Sequence, residues 1–188
     1  MTTNRGNRHG RSEAARRSVL QAADDLLVER GFAQLTIEGI AARAGVAKQT
    51  IYRWWPSKTD VLLEAFAEDA AEDLTPPDTG DLAADLRIQL SRLAEFLTSS
   101  DAGAVFRALA GQAQHDAELA ARLRAELLSG LRARERVPLE RAVERGQLPP
   151  DTDLDLLLDR LVGPIYYRVL VTGEPVPPDY TDRLVAAL

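Results

Sequence analysis

From residue 12 onward, apolar positions recur at three- and four-residue intervals, the spacing of one face of an α-helix. No alternating apolar and polar runs flank an Asn-Gly or Asp-Gly turn, so paired strands are not predicted. The pattern predicts an all-α chain of about nine helices. The first runs from a Ser12 cap to Arg30, burying Val19, Ala22, Ala23, Leu26 and Leu27, and Gly31 stops it. Thr36 caps a short helix Ile37–Ala44 closed by Gly45, and a second short helix, Lys48–Trp55, ends before Pro56. Ser57 caps a fourth that extends to about Asp73, with Asp60 three residues on as a capping-box variant. The Thr75–Gly80 connection, which holds Pro76 and Pro77, is the main break in the chain. Beyond it, helices are predicted at 81–99, 102–113, 116–145, 153–172 and 179–187. Pro138 can kink or split the third of these, and Gly163-Pro164 is expected to bend the fourth. Residues 1–11, polar and glycine-bearing, read as a disordered basic tail, 12–57 as a three-helix head, and 58–188 as a helical body.

Within the head, residues 36–58 carry the sharpest pattern. Ile37, Ile40, Ala41 and Ala44 share one face of the first short helix, and Val46, Ile51, Trp54 and Trp55 supply the apolar side of the second. Ala41 is small where two helices cross closely, and Gly45 suits the left-handed conformation that a tight interhelical turn requires. This is the spacing of a helix-turn-helix. Its second helix presents Lys48, Gln49, Tyr52 and Arg53 outward: two cations, an amide and a phenol, suited to base edges and phosphates in a major groove. An ordinary helical hairpin with solvated cations has the same short-helix, glycine, short-helix outline. Two further observations favour the nucleic-acid reading: Lys48 and Lys58, the only lysines of the chain, both fall here, and the segment follows a basic helix.

Charge sharpens the division. The chain of 188 residues has a formal charge of −6, yet residues 1–60 hold ten Lys and Arg against six Asp and Glu. The remainder holds thirteen against twenty-three. A basic head on an acidic body suggests that the head meets a polyanion and the body does not; a merely solvated basic tail is the alternative, because Arg5, Arg8, Arg11, Arg16 and Arg17 supply half the head's positive charge. Composition excludes several classes. The longest uncharged run is eight residues, Ala108 to His115, too short to span a membrane. The basic N-terminus has no apolar core and is not read as a secretory signal. Zero cysteines remove thiol catalysis and thiolate metal sites and point to a cytosolic protein.

The run from Leu35-Thr36 through Ile40-Ala41, Ala44-Gly45-Val46, Thr50-Ile51-Tyr52, Lys58 and Val61-Leu62 resembles the DNA-binding domain of the TetR family of transcriptional regulators. A weaker resemblance links Arg145-Gly146-Gln147-Leu148 and the segment Leu161 to Tyr167 to C-terminal regulatory domains of one branch of that family. The resemblance implies that Thr36 caps the first short helix and meets a phosphate, that Lys48, Gln49 and Arg53 read base edges, and that Thr50 and Tyr52 contact phosphate, sugar or a thymine methyl. It implies that Lys58 clamps a phosphate. Trp54 and Trp55 stand where the family more often has His and Phe; Trp55 reads as core and Trp54 as mixed. Ala47 departs from a frequent Ser, so side-chain capping of the recognition helix is lost. Arg43 is open between a phosphate contact and a solvated surface, and for Arg5, Arg8 and Arg11 non-specific attraction is favoured over minor-groove insertion.

The helix at 153–172 is apolar nearly all round, with Leu154, Leu158, Leu161, Ile165 and Val169 on one face and Leu157, Tyr166 and Leu170 on another. Such a helix covers its own core and something else, and a second copy of the chain is the economical choice over a fully buried monomer helix. The resemblance implies dimerisation through the last two long helices, and the first of these faces is expected at the interface. It also implies an effector pocket in the body, with Phe66, Gln89, Phe106, Arg107, Gln112, Tyr166 and Tyr167 as candidates; the effector itself is unknown. His9 and His115, the only histidines, make no two-histidine metal site, and no cofactor is expected. The function implied is a homodimeric, ligand-responsive repressor of a palindromic double-stranded DNA operator. An activator or corepressor-dependent regulator fits the same motif, and a helical adaptor without DNA binding is the reading from another class. A small helical enzyme is disfavoured because no nucleophile, base and orienting group come together in the sequence.

Overall fold

A computed structural model describes the backbone of residues 6–188 and the side chains of residues 13–188. Among these residues every regular element is helical. In chain order they are α1 Gly6–Arg30, α2 Ile37–Ala44, α3 Lys48–Tyr52, α4 Lys58–Asp73, α5 Leu82–Ser99, α6 Asp101–Ala113, α7 over 117–144, α8 over 154–172 and α9 Pro178–Ala186. A single 3-10 turn, Phe32–Gln34, follows α1. The chain divides into two compact units, Met1–Glu68 and Asp69–Leu188. That boundary falls inside α4, past the expected break before residue 58, because the helix as far as Glu68 belongs by its contacts to the head.

In the head unit, α1 starts at Gly6, earlier than the Ser12 cap expected for it. The rest of the expected tail, Arg5 included, and the side chains of Arg8 and Arg11 lie outside the described residues. Val19, Ala22, Ala23, Leu26 and Leu27 are buried as their spacing predicts, with Ile37, Ile40, Ala41, Ile51, Trp55, Val61 and Leu62 completing the core. Burying each large aliphatic side chain stabilises the unit by about 1.5–3 kcal/mol relative to exposure. Polar groups tie α1 to α4: the Arg16 guanidinium bridges Glu13 at 2.9 Å and also meets Glu64 and Glu68. Glu64 in turn accepts from the Trp55 indole N–H at 2.6 Å. At the start of α4 the Ser57 hydroxyl donates to Asp60 at 2.5 Å and accepts weakly from its N–H at 3.4 Å.

In the body unit, each helix start has a physical cause. Asp81 caps α5 by accepting from Ala84 N at 2.7 Å, Ser100 caps α6 through Gly103 N at 2.9 Å, and Asp116 caps α7 through Leu119 N at 3.0 Å. Asp153 caps α8 through Leu156 N at 3.0 Å, and Pro177-Pro178 opens α9. Where α5 turns into α6 the backbones touch: a Cβ on Gly103 would strike the Phe96 carbonyl oxygen and lie 2.6 Å from that of Leu97. α7 stays helical through Pro138, neither split nor ended there. Its regular winding is interrupted instead by a π segment, Leu123–Leu128, and α8 closes on another, Arg168–Thr172. The loop before α5 is pinned to the end of α7. Gln147 donates to Gly80 O at 2.7 Å and accepts from Leu82 N at 3.1 Å, and Arg145 pairs with Asp78 at 2.6 Å, holding that carboxyl below its usual range.

Candidate functional site

The helix-turn-helix is built by local rules that the sequence states openly. Thr36 has extended backbone and its hydroxyl oxygen accepts from Gly39 N at 3.1 Å, starting α2. Gly45 takes the left-handed conformation at φ 67°, and its N–H closes on Ala41 O, ending it. Ala47, with no side-chain cap, still starts α3 at Lys48. α3 is shorter than the pattern predicts, ending at Tyr52. Past Tyr52 the winding tightens into a turn in which the Trp54 and Trp55 N–H groups share Ile51 O at 2.9 Å, and Pro56 follows directly. Ile51 is buried in the inner side of α3, and Trp55 is buried in the turn that follows. Gln49, Tyr52 and, just past the helix, Arg53 are exposed, and Lys48 and Thr50 are half-buried.

The cations of this surface have partners of their own. Lys48 pairs with Glu38 at the start of α2 and lies 5.4 Å from the Tyr52 ring centre; the pair raises the lysine's pKa and lowers that of Glu38. Arg43 forks onto Glu29 at 2.9 and 2.6 Å, so in the free protein it braces α2 to α1. Arg53 stacks its guanidinium 5.2 Å from the Trp54 ring centre, and Trp54 meets Trp55 edge-on at 5.3 Å. The structure turns Lys58 inward. Its ammonium donates to Phe32 O at 2.6 Å and Leu35 O at 2.9 Å and sits 4.2 Å from the Phe32 ring centre, and burial lowers its pKa. In the free protein two of the three N–H donors of Lys58, the residue expected to clamp a phosphate, close carbonyls of the turn that leads into Thr36.

The body unit holds a groove of about 470 Å³ between α6, α7 and α8. Its wall is largely apolar, with Phe106, Leu128, Leu131, Val162 and Leu170, and the Phe106 and Tyr166 rings lie 5.7 Å apart. One buried carboxyl, Glu135, interrupts it at 7% exposure. Glu135 accepts from the Tyr166 hydroxyl at 3.2 Å, and burial pushes its pKa up to about 7, against the smaller opposing pull of that hydrogen bond and of Arg132. Burial, with Glu135 beside it, raises the Tyr166 phenol well above its usual value. Gln89 donates to the Glu135 backbone oxygen at 2.9 Å, and both border a second cavity of about 20 Å³, room for one water.

Of the expected pocket residues, Phe106 and Tyr166 line this groove and Gln89 stands behind it. The others do not. Phe66 belongs to the head unit, Arg107 is spent on the Leu97 carbonyl at the end of α5, and Gln112 and Tyr167 face solvent. The residue the sequence reading passed over is Glu135. Its signal was present: Leu128, Leu131, Glu135 and Leu139 fall at three- and four-residue spacing, placing an acid in an apolar register.

Of the expected dimer face, Leu158, Leu161 and Ile165 are buried in their own chain at 0–1% exposure, and Leu154 and Val169 are half-buried. The apolar residues that α8 leaves exposed are Leu156, Tyr167, Leu170 and Val171. Among the described residues no helix is long and apolar enough to cross a membrane.

Comparison with known proteins agrees with this geometry. Residues 19–65 match the family model for bacterial regulatory proteins of the tetR family, and residues 76–188 match that of the tetracyclin repressor-like C-terminal domain. The HTH-type transcriptional regulator YdeS of Bacillus subtilis (strain 168) is 38% identical over 175 residues, 93% of this chain and 88% of that protein. The DNA-binding transcriptional repressor TetR of Mycobacteroides abscessus is 31% identical over 179 residues, 93% of this chain and 92% of the relative. The crystal structure of the TetR family transcription regulator SCO0332 aligns with a TM-score of 0.78 at 40% identity, covering 92% of this chain and 94% of its own.

Proposed function

The chain belongs to the TetR family and is a DNA-binding transcriptional regulator; from that premise we propose that it works in the cytoplasm as a homodimeric repressor, released from a palindromic operator by a small-molecule effector. The observation that carries the DNA-contact assignment is the two-sidedness of α3 and the turn that follows it: Ile51 of the helix and Trp55 of the turn are locked into the head core, while Gln49 and Tyr52 of the helix and Arg53 just after it stand exposed. Gln49 pairs with adenine and Arg53 with guanine, each through two hydrogen bonds. Lys48 leaves Glu38 for a base edge or a phosphate, an exchange that costs little because the pair is solvent-exposed. Thr36, Thr50 and Tyr52 contact the sugar-phosphate backbone and set the register. Lys58 acts on DNA indirectly, by holding the turn that presents Thr36.

Dimerisation follows from the apolar stripe Leu156, Tyr167, Leu170 and Val171, a surface that a second copy covers through its own equivalent residues. Two heads then address half-sites about 34 Å apart on one side of the duplex. The groove lined by Glu135 is the effector site, and Leu170 belongs both to it and to the exposed stripe, so an occupant touches the face through which copies pair. Release requires that the effector bind the DNA-free arrangement more tightly than the bound one.

Selection of genomic fragments by the purified protein, followed by footprinting, tests this reading. A palindromic site with half-sites one turn apart is expected, and binding to it falls steeply as salt rises because several phosphates are contacted. A single unrepeated half-site, or affinity indifferent to salt, overturns it.

A further inference from the structure

The chemistry of the groove narrows the effector to a class. Its positive charge is already committed: Arg132 is held by Asp159 at 2.7 Å and by Asp155 at 3.2 Å. What remains on the wall is acceptor-rich. Glu135 is buried beside Leu131, Val162 and Phe106, and the hydrogen bond it receives comes from a neutral phenol. The Gln89 carbonyl oxygen behind it is buried and accepts no hydrogen bond among the described residues. A buried carboxyl in an apolar wall, hydrogen-bonded by a neutral phenol and drawn only by the smaller pull of Arg132, forms no ion pair among the described residues, and an incompletely compensated buried charge is costly. An anionic ligand would make that worse; a hydrophobic ligand with a cationic donor would relieve it.

We propose that this groove binds a lipophilic ammonium, with Glu135 as the counter-ion of the N–H head, Tyr166 as the hydroxyl that orients that carboxylate, and Leu128, Leu131, Val162 and Leu170 as the bed of the apolar body. The proposal rests on the assignment of the groove as the effector site, and it adds the effector's charge and polarity. The volume of about 470 Å³ lies within the range of small-molecule pockets and suits an amine with a substantial hydrocarbon body. Binding is linked to pH, because the cation requires the ionised carboxylate and Glu135 titrates at about 7. The other charged or titratable groups around it are Arg132 and Arg134 on α7, Asp159 and Tyr166 on α8, and Arg92 on α5 across the small cavity. Asp159 lines the groove beside Arg132 and shares the negative charge of the mouth.

A matched series tests the class directly: decylamine, decanol and decanoate, each below its self-association concentration, titrated calorimetrically into the full-length protein without DNA. At pH 8 the amine is expected to bind at least tenfold more tightly than the alcohol, with decanoate weakest. Between pH 8 and pH 6 the amine's affinity falls about tenfold as Glu135 takes up its proton, and the alcohol's stays level. Glu135→Gln abolishes both the amine preference and the pH dependence while retaining decanol binding, which shows that the groove itself is intact. Tyr166→Phe keeps the preference for the amine. Equal affinity for amine and alcohol, tightest binding of decanoate, an amine preference that survives Glu135→Gln, or no binding of any of the three overturns the proposal. A separate titration with operator fragment bound keeps the two readings apart. An amine that binds selectively but releases no DNA refutes effector action and leaves the ammonium site standing, whereas release of DNA by decanol or decanoate alone refutes the ammonium site and leaves effector action standing.

Discussion

Replacing Glu135 by glutamine changes how the stability of the body depends on pH, and the size of the change can be worked from the structure. The folded carboxyl titrates at about 7 against 4.5 for an unperturbed glutamate, because its charged form is denied water. Below pH 4.5 the group is protonated folded or unfolded and costs nothing. Between 4.5 and 7 the unfolded chain gives up a proton that the folded chain retains, so stability falls as pH rises. Above 7 both forms are ionised and the cost is constant. At 1.36 kcal/mol per pKa unit the plateau is about 3 kcal/mol. Glutamine never ionises and its amide oxygen still accepts from Tyr166. Glu135→Gln is therefore expected to match the wild type within about 1 kcal/mol at pH 4.5 and to exceed it by up to about 3 kcal/mol at pH 8. Urea unfolding followed by circular dichroism across this range reads the difference, and the difference cancels the other titrating carboxylates of an acidic body. Tryptophan fluorescence isolates the head, since Trp54 and Trp55 are the chain's only tryptophans. A wild-type minus variant difference that does not change with pH would mean that Glu135 is hydrated when folded, and the reasoning from burial would fail.

Three further outcomes are expected. Arg53→Ala weakens operator binding by about 1–3 kcal/mol and relaxes one base position in a competition assay; an equal loss on every sequence would make Arg53 a phosphate contact. Gly103→Ala destabilises the body by about 2 kcal/mol or more in urea, although alanine is the better helix former, because its Cβ meets carbonyl oxygens of the preceding helix; an unchanged midpoint refutes that close approach. Val171→Asp, alone or with Leu156→Asp, weakens self-association at least tenfold by sedimentation velocity, since it sets like charges facing across a two-fold axis, and a dimer that persists unchanged places the interface elsewhere.

The parts of the fold written plainly in the sequence are those that local forces decide. Thr36 and Gly45 bound α2 where the pattern puts them, because a cap hydrogen bond spans three residues and a left-handed turn is the property of one glycine. The caps at Asp81, Ser100, Asp116 and Asp153 are of the same kind. The family resemblance rested on this local punctuation of residues 35–62, and the comparisons bear it out.

Other features were settled only when the helices met. Periodicity shows that residues 154–172 form a helix with apolar residues on more than one side, yet the rotation of that helix against its neighbours decides which side is core. The structure buries Leu158, Leu161 and Ile165 and leaves Leu156, Tyr167, Leu170 and Val171 exposed. Lys58 finds its carbonyl partners 23 and 26 residues away, and Tyr166 meets Glu135 across 31, separations over which sequence spacing carries no geometry. By itself the sequence determined helix, cap and turn, and with them a DNA-reading head. Tertiary packing decided which acid was stripped of water and which apolar face was left uncovered, because desolvation depends on everything that surrounds a side chain and not on its neighbours along the chain.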